Sequence, residues 1–180
     1  MGSWFAKLFK KKEYNILIIG LQNSGKSTIV QRLLKKDDPM EPTIPTIGSQ
    51  VKEYSFQKLK FVLWDVGGQK DLRNTWKHYF VGTHAIIYVV DSADTEKLTE
   101  SVNEFEKVIN DQHVSGIPCL ILGNKSDLPN SLNEVDLTQH FNIAKYGKEY
   151  HCSFRLQRCS ALTGDGLNDG FTWISEVLST

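Results

Sequence analysis

Short apolar runs alternate with polar segments along this chain, and the apolar positions follow two different periods. Six short runs rich in β-branched and aromatic residues predict strands, at residues 14–19, 50–56, 59–64, 85–90, 119–123 and 154–159. Four segments with apolar side chains three or four positions apart predict helices, at residues 28–34, 96–110, 139–145 and 167–178. This order predicts an α/β domain with an open, mostly parallel six-stranded sheet and helices on both faces.

The connections between these elements carry their own signals. Only residues 57 and 58 separate the second and third apolar runs, so these two strands are expected to form a hairpin with one antiparallel strand. Residues 35–45 are polar, contain three prolines and predict a loop. Residues 70–82 have a mixed character and predict no regular element. In such a sheet, ligands bind at the carboxyl edge of the strands.

A phosphate-binding pattern follows the first strand. Residues 20–27 fit G-x-x-x-x-G-K-[ST] at every fixed position, between a buried strand and an amphipathic helix. Gly20 and Gly25 allow a tight turn whose N–H groups point inward at a helix N-terminus, which favours an anion. The Lys26 ammonium would contact the β- and γ-phosphates, and the Ser27 hydroxyl would ligate Mg²⁺. We consider a glycine-rich turn with an incidental lysine the less favoured interpretation.

A second polar signature ends the third strand. Asp65 at a strand end, followed by a glycine turn, is what a Walker-B-type Mg²⁺ site requires. The N–H of Gly68 can approach a γ-phosphate, and Gln69 is then placed to orient a water molecule in line with it. These three residues predict nucleoside triphosphate hydrolysis.

A third signature, Asn-Lys-Ser-Asp at residues 124–127, follows the fifth strand and indicates the base. The Asp127 carboxylate can accept hydrogen bonds from N1–H and N2–H₂ of guanine, a pair of donors that adenine lacks. Burial of the wrong base would leave this carboxylate unpaired, which discriminates strongly. The backbone N–H of Ala161, in a tight loop, could read O6 of the base.

Composition narrows the functional classes. The 180 residues are 40% hydrophobic and 23% charged, as in a soluble single domain. Lysine and arginine (21) balance aspartate and glutamate (21), so the chain shows no general nucleic-acid footprint. An odd number of cysteines, without a C-x-x-C pair, argues against a disulfide framework or a zinc site and favours a reducing cytosol; the three are Cys119, Cys152 and Cys159. The apolar runs are far shorter than the roughly 18 residues of a membrane span.

The N-terminal segment, residues 1–12, has a different character from the domain predicted at residues 13–180. Its aromatic residues and leucine recur at helical spacing and its lysines occupy the other face, which is typical of an interfacial membrane-binding helix. Gly2 could accept a myristoyl group, although Ala6 stands where the usual pattern has Ser or Thr. The alternative is a helix that packs permanently on the domain.

These motifs together resemble the Arf/Arl family of small GTPases over essentially the full length of the chain. The resemblance rests on residues 20–27, 45–48, 64–69, 124–127 and 159–161. The Trp-Asp-x-Gly-Gly-Gln run, combined with an N-terminal Met-Gly amphipathic helix, is specific to that family. The resemblance implies the P-loop small-GTPase fold, binding of GTP, GDP and Mg²⁺, and a monomer.

The resemblance also implies residue roles. Ser27 and Thr46 would ligate Mg²⁺, with Asp65 behind it through water, and Gln69 would position the attacking water. Thr46 and Gly68 would sense the γ-phosphate. The residues expected to contact the nucleotide are Gly20, Asn23, Ser24, Gly25, Lys26, Ser27, Thr28, Thr46, Gly68, Asn124, Lys125, Asp127, Ser160 and Ala161.

A switch is expected as well. In the family, the N-terminal helix packs on the domain in the GDP state, and a two-residue slide of the hairpin in the GTP state expels it. A slide by two keeps every side chain on its own face of the sheet, whereas a slide by one would not. The resemblance therefore implies a cytoplasmic protein that cycles onto the cytosolic face of membranes.

The sequence departs from the family pattern at three places. Gln22 stands where Asp is frequent, and Ser49 stands where Arf proper has Phe, which leaves Trp64 and Tyr79 in the aromatic effector patch. The loop before Pro45 is about two residues longer. Features of the ciliary (Bardet–Biedl), Golgi-type and lysosomal Arl branches are mixed, so Golgi, ciliary base and endolysosome all stay open as locations.

We expect a regulatory GTPase in vesicle or ciliary protein trafficking, with an exchange factor, a GTPase-activating protein and effectors as partners. Slow hydrolysis is expected because no arginine lies between Leu33 and Leu72, and Arg73 is interpreted as structural. A GTP-binding adaptor with negligible turnover is the alternative, against which Gln69 argues. A small-molecule phosphotransferase is disfavoured by Asp127 and by the lack of a lid-sized insertion.

Overall fold

A computed structural model of the protein describes residues 12–35, 40–150 and 152–180. The predicted membrane-binding helix and Gly2 lie outside the described residues, except for Lys12, which already belongs to the first strand. Among the described helices, none is both long and apolar enough to cross a membrane.

Six strands form one sheet in the order β2-β3-β1-β4-β5-β6. They are β1 (Lys12–Ile19), β2 (Ser49–Phe56), β3 (Leu59–Val66), β4 (Ala85–Asp91), β5 (Cys119–Asn124) and β6 (Phe154–Arg158). All neighbours pair in parallel except β2 and β3, which form the antiparallel hairpin. The predicted strands and the mostly parallel six-stranded sheet are confirmed.

Five α-helices and one 3₁₀ helix connect the strands in the described part of the chain. They are α1 (Lys26–Leu34), the 3₁₀ helix (Lys70–Tyr79), α2 (Leu98–Ile109), α3 (Glu134–Phe141), α4 (Ile143–Glu149) and α5 (Leu167–Ser179). Residues 70–82, for which the sequence predicted no regular element, thus contain the 3₁₀ helix. The helices predicted at residues 28–34, 96–110 and 167–178 are confirmed as α1, α2 and α5.

The helix predicted at residues 139–145 is wrong in its extent. The structure has two helices there, α3 and α4, separated by Asn142 in the left-handed region with φ 46°. Helix α3 also begins earlier than predicted, because the Asn133 side chain caps it by accepting the N–H of Asp136 at 2.9 Å. The apolar spacing indicated only the end of this helix, whereas its start is set by a capping residue in a polar stretch.

The central strands are apolar at consecutive positions because helices cover both faces of the sheet. Alternate residues of β1 enter two different cores: Ile16 and Ile18 pack in one, and Leu17 and Ile19 pack in the other. Every residue of β5 is buried. Side chains within such strands have no exposed face, so polar groups accumulate where the strands end.

Phe171 of α5 packs against the hairpin. Its ring lies 5.7 Å from that of Tyr54, 6.2 Å from Phe56 and 6.0 Å from Phe61, measured between centroids. Phe171 is fully buried. The C-terminal helix therefore anchors the hairpin to the rest of the domain.

We predict that Phe171→Ala lowers the free energy of unfolding by about 3–5 kcal/mol, because a large buried ring is removed and leaves a cavity. Urea denaturation with GDP and Mg²⁺ at fixed saturating concentrations measures this loss. Glu176→Ala, at an exposed position of the same helix, is the control and should change the free energy of unfolding by less than about 0.5 kcal/mol. Equal stability of the two variants would contradict the anchoring role.

Candidate functional site

A cavity of about 270 Å³ lies at the carboxyl edge of the sheet. The predicted residues that line it are Asn23, Gly25, Lys26, Ser27, Thr28, Thr46, Gly68, Gln69 and Lys125. The cavity thus brings together residues that lie about 100 positions apart in the sequence, such as Asn23 and Lys125. Four further residues line the cavity that the sequence analysis did not assign to the site, namely Gln22, Thr43, Ile44 and Pro45.

The phosphate loop ends at Gly25, the N-cap of α1, with a φ of 94° that L side chains rarely adopt. A Cβ at this position would lie 2.2 Å from Nδ2 of Asn124. Glycine has no side chain that could accept hydrogen bonds from the N–H groups of the first helical turn, so Gly25 leaves these groups for a ligand. These N–H groups and the helix dipole together suit a phosphate.

Lys26 folds back over this loop. Its ammonium donates hydrogen bonds to the carbonyls of Gly20 at 3.0 Å and Leu21 at 2.8 Å. Burial lowers the pKa of Lys26 to about 8, against the opposing attraction of the Asp65 carboxylate. A buried ammonium that donates its hydrogen bonds to neutral carbonyls gains strongly from an additional anionic partner.

Three oxygen-bearing side chains meet beside the loop. The Ser27 hydroxyl donates to Oδ2 of Asp65 at 2.5 Å and lies 3.0 Å from the Thr46 hydroxyl. The other carboxylate oxygen of Asp65, Oδ1, is buried and has no hydrogen-bond partner among the described residues. Burial raises the pKa of Asp65, although the hydrogen bond from Ser27 and the charge of Lys26 oppose this shift. Hydroxyl and carboxylate oxygens with an orphaned buried acceptor fit Mg²⁺, the cation that the sequence predicts.

Gly68 lies against the phosphate loop. Its carbonyl accepts the N–H of Gln22 at 2.9 Å, and a Cβ on it would come within 2.2 Å of the Gly20 carbonyl oxygen. Only a glycine fits this close approach. Gln69 follows at the rim of the same cavity.

Asn124 connects two loops of the site. Its amide donates to the Ser24 carbonyl at 2.8 Å and accepts the N–H of Ala161 at 2.9 Å, and the residue is only 2% exposed. The side chain therefore joins the phosphate loop to the loop after β6. The Ala161 N–H, expected at O6 of guanine, is bonded to Asn124 in this structure.

The remaining base-side residues are held by neighbours. The Lys125 ammonium is 2.6 Å from Oδ2 of Asp91. The exposed Asp127 accepts a hydrogen bond from the Ser160 hydroxyl at 2.6 Å. Asp91 is held through both oxygens, because its Oδ1 also accepts the N–H of Ala93 at 3.0 Å. The Ser160 hydroxyl engages Oδ1 of Asp127.

Sequence reasoning missed two residues of this region, Asp91 and Arg32. Asp91 ends β4, so the strand-end rule that identified Asp65 could have found it. Arg32 of α1 donates to the carbonyl of Ala161 at 3.1 Å and also to that of Leu162. An arginine in an amphipathic helix carries no local signal of such a contact.

Comparisons with known proteins agree with the geometry. The model of the ADP-ribosylation factor family matches residues 1–178. The chain belongs to the ADP-ribosylation factor family. ADP-ribosylation factor K of Dictyostelium discoideum is 38% identical over 185 aligned residues, which cover 99% of this chain and 95% of that protein. The Arl6 BBS3 small GTPase from Trypanosoma brucei, solved with the bound nucleotide analogue GppNp, superposes with a TM-score of 0.82 at 26% identity, covering 93% of this chain and 98% of that one.

Membership of the ADP-ribosylation factor family makes this chain a small GTPase that hydrolyses GTP. Proteins of this family bind GTP or GDP with Mg²⁺, and they generally interact with exchange factors, GTPase-activating proteins and effectors. The small-GTPase fold expected from the sequence is confirmed by the same structural neighbour. The Arl branch stays unassigned.

We predict that Gly25→Ala lowers the affinity for GDP by about tenfold or more, because a methyl group there strains the backbone and displaces the Asn124 amide. Titration with a fluorescent GDP analogue in excess Mg²⁺ measures the affinity. Gly116→Ala is the matched control: its φ of 78° carries the same strain, but nothing lies within 4 Å of the new Cβ. Unchanged GDP affinity in Gly25→Ala would show that the loop tolerates the methyl group.

Proposed function

We propose that this chain is an Arf-like regulatory switch that alternates between GTP and GDP, hydrolyses GTP slowly, and recruits effectors to membranes in vesicle or ciliary protein trafficking. The observation that carries this proposal is the meeting of Thr46, Gly68 and Ser27 around one cavity. Thr46 and Gly68 come from the two segments that flank the hairpin, and only a nucleotide with a third phosphate would reach both. The hairpin therefore has a physical reason to respond to the state of the nucleotide.

Each site residue has a role in this proposal. Lys26 and the N–H groups of the phosphate loop bind the phosphates, while Ser27 and Thr46 supply ligand oxygens for Mg²⁺ and Asp65 contacts it through water. Asp127 reads guanine, and Lys125 supports the base. Asn124 contributes chiefly by holding the two loops together, because both ends of its amide are used within the protein.

Slow hydrolysis is supported by the surroundings of Gln69. Among the described residues that line the cavity there is no arginine. Arg73 lies four residues beyond Gln69, and its Nη1 is 2.7 Å from Oε1 of Glu100 in α2. This ion pair supports the interpretation of Arg73 as a structural residue. A GTPase-activating protein would therefore have to supply an arginine, which contributes about 10³–10⁵-fold in rate in other GTPases.

Effector recruitment is supported by an aromatic surface on the hairpin side. The rings of Trp64 and Tyr79 lie 5.9 Å apart and border a cavity of about 250 Å³. Val81, 75% exposed, lines the same cavity. Apolar side chains grouped at the surface are typical of protein-binding sites.

Membrane attachment is proposed for the segment before β1. Its apolar and basic residues, with a myristoyl group at Gly2, would give the two signals that stable anchoring requires. Because β1 begins at Lys12, the anchor comprises residues 1–11. We propose a monomer that cycles between the cytoplasm and a membrane surface.

Gln69→Leu is predicted to lower the single-turnover rate of GTP hydrolysis by about tenfold to a hundredfold, because leucine cannot position the attacking water. The rate is measured with preloaded GTP in excess Mg²⁺. Gln112→Leu, an exposed glutamine after α2, is the control for the substitution itself. Hydrolysis at the parent rate by Gln69→Leu would refute the water-positioning role.

Liposome flotation tests the switch. We expect the protein with a myristoylated Gly2 to float with anionic vesicles when loaded with a non-hydrolysable GTP analogue, and to stay unbound when loaded with GDP. Removal of residues 1–11 should abolish binding without changing nucleotide affinity. Equal flotation in both nucleotide states would instead indicate a constant anchor, and no flotation in either state would indicate a helix that packs permanently on the domain.

A further inference from the structure

Two side chains of the 3₁₀ helix return to the glycine pair that precedes it. Nε of Arg73 donates to the carbonyl of Gly68 at 3.1 Å. The indole Nε1–H of Trp76 donates to the carbonyl of Gly67 at 3.0 Å. Two consecutive backbone carbonyls thus accept hydrogen bonds from side chains of one helix.

The geometry of the peptide bond converts these contacts into the orientation of two N–H groups. A trans peptide is planar, so the N–H that follows a carbonyl points in the opposite direction. The described peptide bonds are all trans. Trp76, by binding the Gly67 carbonyl, therefore sets the direction of the Gly68 N–H, and Arg73 sets that of the Gln69 N–H.

The Gly68 carbonyl is held from a second direction as well. It accepts the N–H of Gln22 at 2.9 Å in addition to the Arg73 bond. A carbonyl oxygen has two lone pairs, so both acceptor directions are in use. Rotation of this peptide would break two hydrogen bonds at once.

Both donor side chains are anchored. Nη1 of Arg73 lies 2.7 Å from Oε1 of Glu100 and 3.8 Å from Oε1 of Glu104, and the arginine side chain is 10% exposed. The Arg73 contact lowers the pKa of Glu100, which keeps that carboxylate charged. Trp76 is 2% exposed and its ring makes an edge contact with Tyr88 of β4. The glycine pair is thus fixed to α2 through the arginine and to the core of the sheet through the tryptophan.

We propose that Arg73 and Trp76 are positioning residues that allow the site to distinguish GTP from GDP. Trp76 holds the Gly67 carbonyl so that the Gly68 N–H faces the position of the γ-phosphate. Arg73 holds the Gly68 carbonyl, which fixes the other peptide group of Gly68 and, through it, the Gln69 N–H. Neither side chain lines the nucleotide cavity, and GDP has no phosphate that reaches Gly68. This inference rests on the γ-phosphate contact that the proposed function assigns to Gly68.

The test is the dissociation rate of two fluorescent nucleotides, GDP and the non-hydrolysable analogue GppNHp, from the full-length chain in excess Mg²⁺. Arg73→Gln is expected to accelerate release of GppNHp by about tenfold and release of GDP by less than about twofold. Arg73→Lys should lose most of the same selectivity, since one ammonium cannot replace a planar fork that reaches Gly68 and Glu100 together. Trp76→Phe removes only the indole donor and should accelerate release of GppNHp several-fold.

Thr75→Val is the matched control. Its hydroxyl donates to the Leu72 carbonyl at 2.6 Å within the same 3₁₀ helix and contacts neither glycine, so both dissociation rates should match those of the parent. Glu100→Gln should weaken GppNHp retention less than Arg73→Gln, and the double variant should be no worse than Arg73→Gln alone.

Two results would overturn the proposal. If Arg73→Gln and Trp76→Phe accelerate the release of GDP and of GppNHp equally, the two side chains have a merely structural role. If both variants release both nucleotides at the parent rates, the two side chains have no role in nucleotide binding. The same measurement on the parent protein distinguishes failure of the positioning role from failure of the proposed function. If Mg²⁺ removal leaves its GppNHp release unchanged, the proposed site itself fails; if the parent retains GppNHp and the variants do too, only the positioning role fails.

Discussion

The hydrogen bond between the Gln22 N–H and the Gly68 carbonyl is the contact on which the arrangement of the site depends. It joins the phosphate loop to the turn after β3 at a separation that leaves no room for a side chain on Gly68. Parallel pairing of β1 with β3, in which Ile18 lies opposite Asp65, brings the two turns to the same edge. The approach of Ser27 to Asp65, and of Thr46 to Ser27, follows from this shared edge.

The parts of this structure that could be predicted from sequence are those in which one local rule decides the outcome. Buried strands require uninterrupted apolar runs, and the polar residues that follow them lie at one edge. The positions of the phosphate loop, Asp65 and residues 124–127 after their strands could therefore be predicted. The break at Asn142 was not found, because a single left-handed residue divides a stretch that looks continuous by its apolar spacing. Local signals locate elements well and their boundaries less well.

The parts that could not be predicted depend on contacts between distant segments. Arg32 and Trp76 each support a functional residue through a backbone contact that no spacing in the sequence reveals. A side chain that acts on another residue, rather than on a ligand, leaves no motif of its own.

The Asn124 side chain makes two hydrogen bonds, one to the Ser24 carbonyl in the phosphate loop and one from the Ala161 N–H in the loop after β6. These two bonds have a consequence for how a nucleotide is held. The two halves of the site are mechanically one body, so ordering of either half by its part of the ligand prepares the other. The ribose links the base to the phosphates. Once one of these two parts has bound, binding of the other is therefore intramolecular, as in a chelate. Guanosine alone and pyrophosphate alone would each lack that gain.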